Sequence, residues 1–156
     1  MKKVFCLICI AVFISGCGSR DAASKKEEAR DYIKEGTEFL GKGELQEAIN
    51  IFKEATVKNP NDPKAHFVLA QTYLNLKDYN NALDNFKTVT TLEPDNGEAY
   101  LLLGGCYDLL GKKDEAIQNV KKSVMIFEKK RDEASFKRSV GILRLLMGVN
   151  TMSVSN

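Results

Sequence analysis

The feature that most constrains the fold of this chain is an internal repeat with one fixed period. Three consecutive segments of equal length begin at Ala29, Pro63 and Gly97. Equivalent positions carry the same kind of residue, whether small, aromatic or proline: Gly36, Ala70 and Gly104; Ala48, Ala82 and Ala116; Phe39, Tyr73 and Tyr107; Pro60 and Pro94. Such a period is typical of a supersecondary unit that buries its apolar face only by stacking on its neighbours. We therefore expect three stacked copies of one unit.

Residue spacing within each segment predicts two helices. Positions four, seven, eight and eleven lie three or four residues apart, so they share one helix face. The small residue at position eight lets the second helix approach closely, and position twenty supplies the small residue opposite it. Pro60 and Pro94 are expected to end the second helix of the first two segments. The third segment has Glu128 at that position, which predicts a longer second helix.

A helix–turn–helix unit of this length with small residues at these positions resembles the tetratricopeptide repeat family. The resemblance extends from Ala29 to Lys130. It implies an all-α fold, a right-handed α-solenoid of three units at 29–62, 63–96 and 97–130. Three units are the smallest number expected to form a stable stack, and the terminal unit needs a capping element.

The residues after the third unit predict a capping helix within 131–148. Asp132 is its expected N-cap, and apolar residues follow at helical spacing: Phe136, Val140, Leu143 and Met147. We expect this stripe to cover the end of the third unit. The alternative is that the stripe binds a partner or a second copy of the chain. In the second case the protein would be a homo-oligomer. Residues 149–156 are predicted to form a flexible tail.

The N-terminus has the pattern of a secretory signal. A basic start at residues 1–3 precedes an apolar run at 4–14. This run is shorter than the roughly 20 residues that a membrane-spanning helix requires. The segment Ile14-Ser15-Gly16-Cys17 resembles the bacterial lipobox, in which the cysteine is acylated and becomes the first residue.

The lipobox resemblance implies a cellular location. It predicts a cleaved signal peptide at 1–16, a lipid such as palmitate on Cys17, and a linker over the rest of 17–28. A lipid anchor places the protein on a membrane of the bacterial cell envelope. Gly18 rather than aspartate follows the cysteine, which in Gram-negative relatives favours the outer membrane, facing the periplasm. The alternative is an ordinary cleaved signal with an incidental cysteine.

Charge and composition exclude several functions. Loss of Lys2 and Lys3 with the signal lowers the 23 basic residues to 21, equal to the 21 acidic residues. A neutral mature chain argues against nucleic-acid binding. His66, the one histidine, occupies a packing position, and Cys106 is expected to be a small buried apolar residue. Without clustered donors, no metal site, cofactor or catalytic site is predicted.

The tetratricopeptide resemblance implies a concave side lined by the first helix of each unit. Seven residues are predicted to form a partner-binding groove there: Ile33, Leu40, Phe67, Gln71, Leu74, Leu101 and Asp108. Its centre is apolar, with Phe67 and Leu101 as anchors, which suits a hydrophobic helix or extended segment of another protein. The alternative is that the capping helix or the chain's own tail covers these side chains.

Together these features predict a lipid-anchored, non-enzymatic adaptor that binds an unidentified protein partner in the cell envelope. In shape it resembles the repeat-containing lipoproteins that help assemble pilus secretins or outer-membrane β-barrels. The alternative function is a non-catalytic subunit that recruits peptidoglycan hydrolases or proteases.

Overall fold

The computed structural model describes residues 17–149, and within that range the regular structure is entirely helical. Seven helices follow one another: α1 Cys17–Lys42, α2 Leu45–Lys58, α3 Pro63–Asn75, α4 Tyr79–Leu92, α5 Gly97–Leu109, α6 Lys113–Lys130 and α7 Glu133–Leu146. The all-α prediction, with three helical pairs and one further helix, is confirmed. The predicted signal peptide at 1–16 and most of the predicted tail lie outside the described residues.

The helices pack in sequential pairs. The three units are the pairs α1–α2, α3–α4 and α5–α6. Contacts of α2 with α3 and of α4 with α5 join neighbouring units, and α7 packs on α6. The core repeats with the sequence, since residues at positions 20 and 24 of each unit are fully buried: Ala48, Ala82 and Ala116; Phe52, Phe86 and Val120. The second helix of every unit therefore presents the same buried stripe.

The small residues at position eight allow the close approach that the sequence predicted. A methyl group added at Gly36 would lie 2.4 Å from the Phe52 ring, and one at Gly104 would lie 2.6 Å from Cγ2 of Val120. These distances are well below van der Waals contact. The first and second helices of these units can therefore adopt this spacing only because position eight carries no side chain.

Two adjacent glycines in α5 provide a matched test of this packing. We expect Gly104→Ala to lower the free energy of unfolding by about 1–2 kcal/mol, because overpacking exceeds the gain in helix propensity. Backbone atoms of Ala116 and Val120 lie 3.1 and 3.3 Å from the added methyl, which limits relaxation. Gly105→Ala meets no atom within 4 Å and should stabilise the helix by up to about 1 kcal/mol. Urea denaturation measures both, and equal effects would contradict the packing argument.

The turn inside each unit has one conformation, which recurs in all three units. Gly43, Lys77 and Gly111 have φ of 79°, 61° and 73°, the left-handed conformation that ends many helices. The next amide in each turn donates to the carbonyl oxygen five residues earlier: Glu44 to Phe39, 3.0 Å; Asp78 to Tyr73, 2.9 Å; Lys112 to Tyr107, 2.8 Å. Because the hydrogen bonds fix this geometry, the middle unit adopts it even with lysine.

The ends of the second helices follow the proline pattern. Helices α2 and α4 have 14 residues each and end two residues before Pro60 and Pro94. Helix α6 has 18 residues and ends at Lys130, just before Arg131, whose φ is 55°. The longer second helix predicted from Glu128 is therefore confirmed. This extension carries Lys130 to Asp95 of the preceding turn, with Nζ and Oδ2 3.1 Å apart.

Helix α1 extends well before the first repeat. It begins at Cys17, so residues 18–28, expected to form a linker, are helical. Glu28 joins this extension to α2 through Lys58, with Oε2 and Nζ 2.7 Å apart. A helix rises about 1.5 Å per residue, so this segment spans about 16 Å instead of the roughly 40 Å of an extended chain.

Helix α7 packs against α6 with both polar and apolar contacts. Asp132 caps it as predicted, accepting from the Ser135 amide at 3.1 Å. The residues that α7 buries most completely are Ser139 and Leu146. Ser139 Oγ lies 3.0 Å from Ser123 Oγ of α6, and both side chains are fully buried. The predicted stripe is only half-buried at three positions and exposed at the fourth: Phe136, Val140, Leu143 and Met147.

Candidate functional site

The surface to be assessed is the first-helix face, which we define as the solvent side of α1, α3 and α5. It is the surface on which all seven predicted groove residues were placed. The residues in that prediction differ in their burial, which decides whether a partner can contact them. Two of them, Ile33 and Leu101, are buried, and three are half-buried: Leu40, Phe67 and Leu74. The other two, Gln71 and Asp108, are exposed.

Ile33 and Leu101 do not present their side chains to a partner, contrary to their predicted role. Each is 5% exposed. Ile33 belongs to a buried cluster with Ala55 and Ala65, at the junction of the first two units. Leu101 belongs to a second cluster, whose other buried members are Ala116, Val120 and Leu146. Leu101 as a central anchor is therefore wrong for this conformation, because α6 and α7 enclose its side chain.

Leu40, Phe67 and Leu74 form the accessible apolar part of the face. All three are half-buried, and each packs against the central core cluster. The Phe67 ring meets the fully buried Phe86 ring edge to face, with centroids 5.6 Å apart and planes at 77°. This contact fixes Phe67 through the core, and an anchor held in one orientation loses little entropy on binding.

The polar members of the prediction lie on α3 and α5. Gln71, one turn from both Phe67 and Leu74, is exposed, and so is Asp108 at the end of α5. Leu109, beside Asp108, is 57% exposed and was not among the predicted site residues. Its position, thirteenth in the unit, was the signal that could have included it.

Among the described residues, His66 and Cys106 have structural surroundings, and no side-chain cluster could bind a metal ion. No group of three histidine, cysteine, aspartate or glutamate side chains among residues 23–149 could hold a metal ion. His66 Nδ1 lies 3.0 Å from Asn85 Oδ1 and Nε2 lies 3.0 Å from the Pro60 carbonyl, so its ring links α3 to α4 and to the preceding turn. Burial raises the pKa of the Cys106 thiol to about 11, which keeps it protonated near neutral pH.

The described helices also give no membrane span. None of those within residues 17–149 combines the length and the apolar character needed to cross a bilayer.

Solved structures with this arrangement of helices are similar to the chain over most of its length. A type III secretion (T3SS) complex from Aeromonas hydrophila matches with a TM-score of 0.74 and 15% identity, covering 81% of this chain and 85% of that one. The first TPR of Spaghetti (RPAP3) bound to HSP90 peptide SRMEEVD matches at 0.71 and 20% identity, covering 79% and 93%. PcrH in complex with the chaperone binding region of PopD matches at 0.72 and 17% identity, covering 76% and 90%. At these identities the likeness shows the fold.

Comparison by sequence gives the family. No curated protein matches the sequence. The family model described as anaphase-promoting complex, cyclosome, subunit 3 matches residues 41–123, which is more than half of the chain. That range runs from the end of α1 into α6 and so includes the whole middle unit. The chain belongs to this family, and its three repeated units have the tetratricopeptide fold that the internal repeat predicted.

Proposed function

We propose that this protein is a lipid-anchored adaptor of the bacterial cell envelope that binds a hydrophobic segment of a partner protein on its first-helix face. The observation that carries the proposal is the accessible apolar strip of Leu40, Phe67 and Leu74, with exposed Gln71 one turn from both Phe67 and Leu74. An apolar strip of this kind can bury apolar side chains of a partner, and polar residues beside it can orient the partner segment.

The packing behind the strip favours binding over a role in the core alone. Each of the three apolar side chains rests on the core on one side and meets solvent on the other. Covering the solvent side would remove apolar surface from water at about 25 cal/mol per Å². Because Phe67 is already positioned by Phe86, the entropy cost of ordering it is small.

Two of the structural neighbours support a peptide or protein segment as the ligand class. One contains an HSP90 peptide, and another contains the chaperone binding region of PopD. The first peptide, SRMEEVD, is acidic, whereas the strip described above is apolar at its centre. We therefore assign the present chain a hydrophobic segment, in a complex of the pilus secretin or outer-membrane assembly type.

The proposed cellular location rests on the N-terminal sequence. The lipobox-like segment ends at Cys17, and Cys17 is the first residue of α1. A lipid there would hold the three units close to the membrane, because the helical segment at 18–28 spans only about 16 Å. In a Gram-negative cell, the outer membrane facing the periplasm is the proposed location.

Site-specific photo-crosslinking in the native host tests the binding face. A benzoylphenylalanine at exposed Gln71 should give a discrete adduct, and one at Val57 of α2, which is 71% exposed, should not. We expect Leu74→Asn to reduce the Gln71 adduct about tenfold, because a polar amide replaces apolar contact area.

The outcomes separate the candidate functions. Mass spectrometry of the adduct distinguishes secretion or barrel-assembly components from peptidoglycan hydrolases and proteases. Equal adducts at Gln71 and Val57, or an adduct unaffected by Leu74→Asn, would contradict binding on the first-helix face. Unchanged far-UV circular dichroism of Leu74→Asn is the control for folding.

A further inference from the structure

Helix α7 carries an open, shallow groove that is lined mainly by exposed residues. The groove has a volume of about 450 Å³, and its lining comes from the last three turns of the helix and from Val149, just beyond its end. We call it the α7 groove and define it by six residues: Lys137, Gly141, Ile142, Arg144, Leu145 and Val149. None of them belongs to the first-helix face, so the α7 groove is a second, separate surface.

The floor of the α7 groove is apolar and exposed. Leu145 is 76% exposed and Val149 53%, with Ile142 half-buried beside them. Between them, Gly141 has no atom within 4 Å of the place where a Cβ would lie, which leaves room for an incoming side chain. Exposed apolar residues that lie together on one side of a helix indicate a contact surface more than singly scattered ones do.

The rim of the α7 groove is basic. Lys137 is paired only with Glu133, one turn before it and 85% exposed, at 3.6 Å. Arg138, which also borders the groove, pairs with Glu98 of α5. Among the described residues, Arg144 has no carboxylate partner within 4 Å. The exposed pair of Lys137 contributes little stability, so Lys137 and Arg144 can both accept an external carboxylate at small cost.

We propose that the α7 groove binds an acidic amphipathic segment of a protein partner. One apolar side chain of that segment lies over Gly141 between Ile142 and Leu145, and neighbouring carboxylates pair with Arg144 and Lys137. Arginine binds a carboxylate through two parallel hydrogen bonds, which sets the orientation of the segment. The protein would then join two partners, one on each surface.

Charge decides against two other occupants of the α7 groove. A second copy docked through the same face would bring Arg144, which has no carboxylate partner among the described residues, and the weakly paired Lys137 of the two copies together, and like charges at an interface are unfavourable. The residues 150–156 contain no aspartate or glutamate, so they offer no side-chain carboxylate to the rim.

Fluorescence anisotropy with defined probes tests the proposal. The full chain, purified in mild detergent, is titrated with the labelled peptide Ac-EELLEELLEE-NH2 and with its glutamine counterpart Ac-QQLLQQLLQQ-NH2. We expect the acidic peptide to bind about tenfold more tightly than the neutral one, with a difference that shrinks as salt is raised. Lys137→Glu combined with Arg144→Glu should remove that difference, and Leu145→Ser should weaken both peptides.

A matched control keeps the test specific. Lys53→Glu combined with Lys121→Glu makes the same change in net charge on exposed residues of α2 and α6 and should leave binding unchanged. Loss of binding in this control, equal affinity for the two peptides, or full binding by the Lys137 and Arg144 variant would overturn the proposal. Binding to vesicles of phosphatidylcholine and phosphatidylglycerol that depends on Arg144 and Leu145, when neither peptide binds, would also overturn it. A dimer that light scattering detects and that Leu145→Ser dissociates would overturn it as well.

Discussion

Replacing Phe86 by alanine is expected to lower the free energy of unfolding by about 3–5 kcal/mol. Phe86 is fully buried in the second helix of the middle unit, where the core has neighbours on both sides. Its removal leaves a cavity that the surrounding helices cannot close without giving up their own contacts. Urea denaturation followed by far-UV circular dichroism measures the loss. Because whole domains are stable by only about 5–15 kcal/mol, this loss is a large fraction of the total stability and should lower the urea midpoint clearly.

Two companion variants test the cause of the loss. Phe86→Leu, which keeps most of the volume, should cost less than about 2 kcal/mol. Val57→Ala removes an apolar side chain that is 71% exposed and should change stability by less than about 0.5 kcal/mol. A loss below about 1 kcal/mol for Phe86→Ala would contradict the assignment of Phe86 to the centre of the core.

The edge-to-face contact adds a measurable coupling between the core and the proposed binding face. A double-mutant cycle of Phe67→Ala and Phe86→Ala should show a coupling of about 0.5–1.5 kcal/mol, since the ring centroids lie 5.6 Å apart. Phe67 of the proposed binding strip is therefore positioned by the same residue that stabilises the middle unit.

Much of the fold could be predicted because the sequence repeats. The fixed repeat interval places Gly36, Ala70 and Gly104 at equivalent sites, and a small residue there has one simple physical reason, the close approach of two helices. Glu128 in place of proline likewise predicts the longer α6. Local rules of this kind compare positions within the chain, so they require no knowledge of tertiary contacts.

Features that depend on contacts between units could not be predicted in the same way. The period assigns Leu101 to the first-helix face, but whether solvent reaches it depends on how α6 and α7 pack around it. The hydrogen bond between Ser123 and Ser139 is similarly invisible to a search for apolar stripes. Lys77 adopts the left-handed conformation because the turn's hydrogen bonds impose it, although its residue type gives no sign of this. Position in a repeat indicates the face of a helix but does not determine exposure.

The predicted lipid on Cys17 does not follow from the repeat or the packing, and a labelling experiment must test it. We expect Cys17→Ala to abolish incorporation of labelled palmitate, because it removes the only atom of the lipobox-like segment that accepts a thioether lipid. Each buried methylene of an acyl chain contributes about 0.8 kcal/mol to membrane binding, so several chains together hold a protein firmly. If the lipid is the anchor, as proposed, Cys17→Ala should move the protein from the membrane fraction to the soluble fraction.

Cys106→Ala is the matched control for Cys17→Ala. The Cys106 thiol is fully buried and its pKa is raised to about 11, so it is neither accessible nor ionised for acylation. Its replacement should leave the palmitate label unchanged, and the intact mass of the mature protein should correspond to a chain that starts at Cys17. Label retained in Cys17→Ala, or lost in Cys106→Ala, would contradict the lipid anchor. A mature chain without label would identify an ordinary cleaved signal, and the helix at 18–28 would then tether nothing to the membrane.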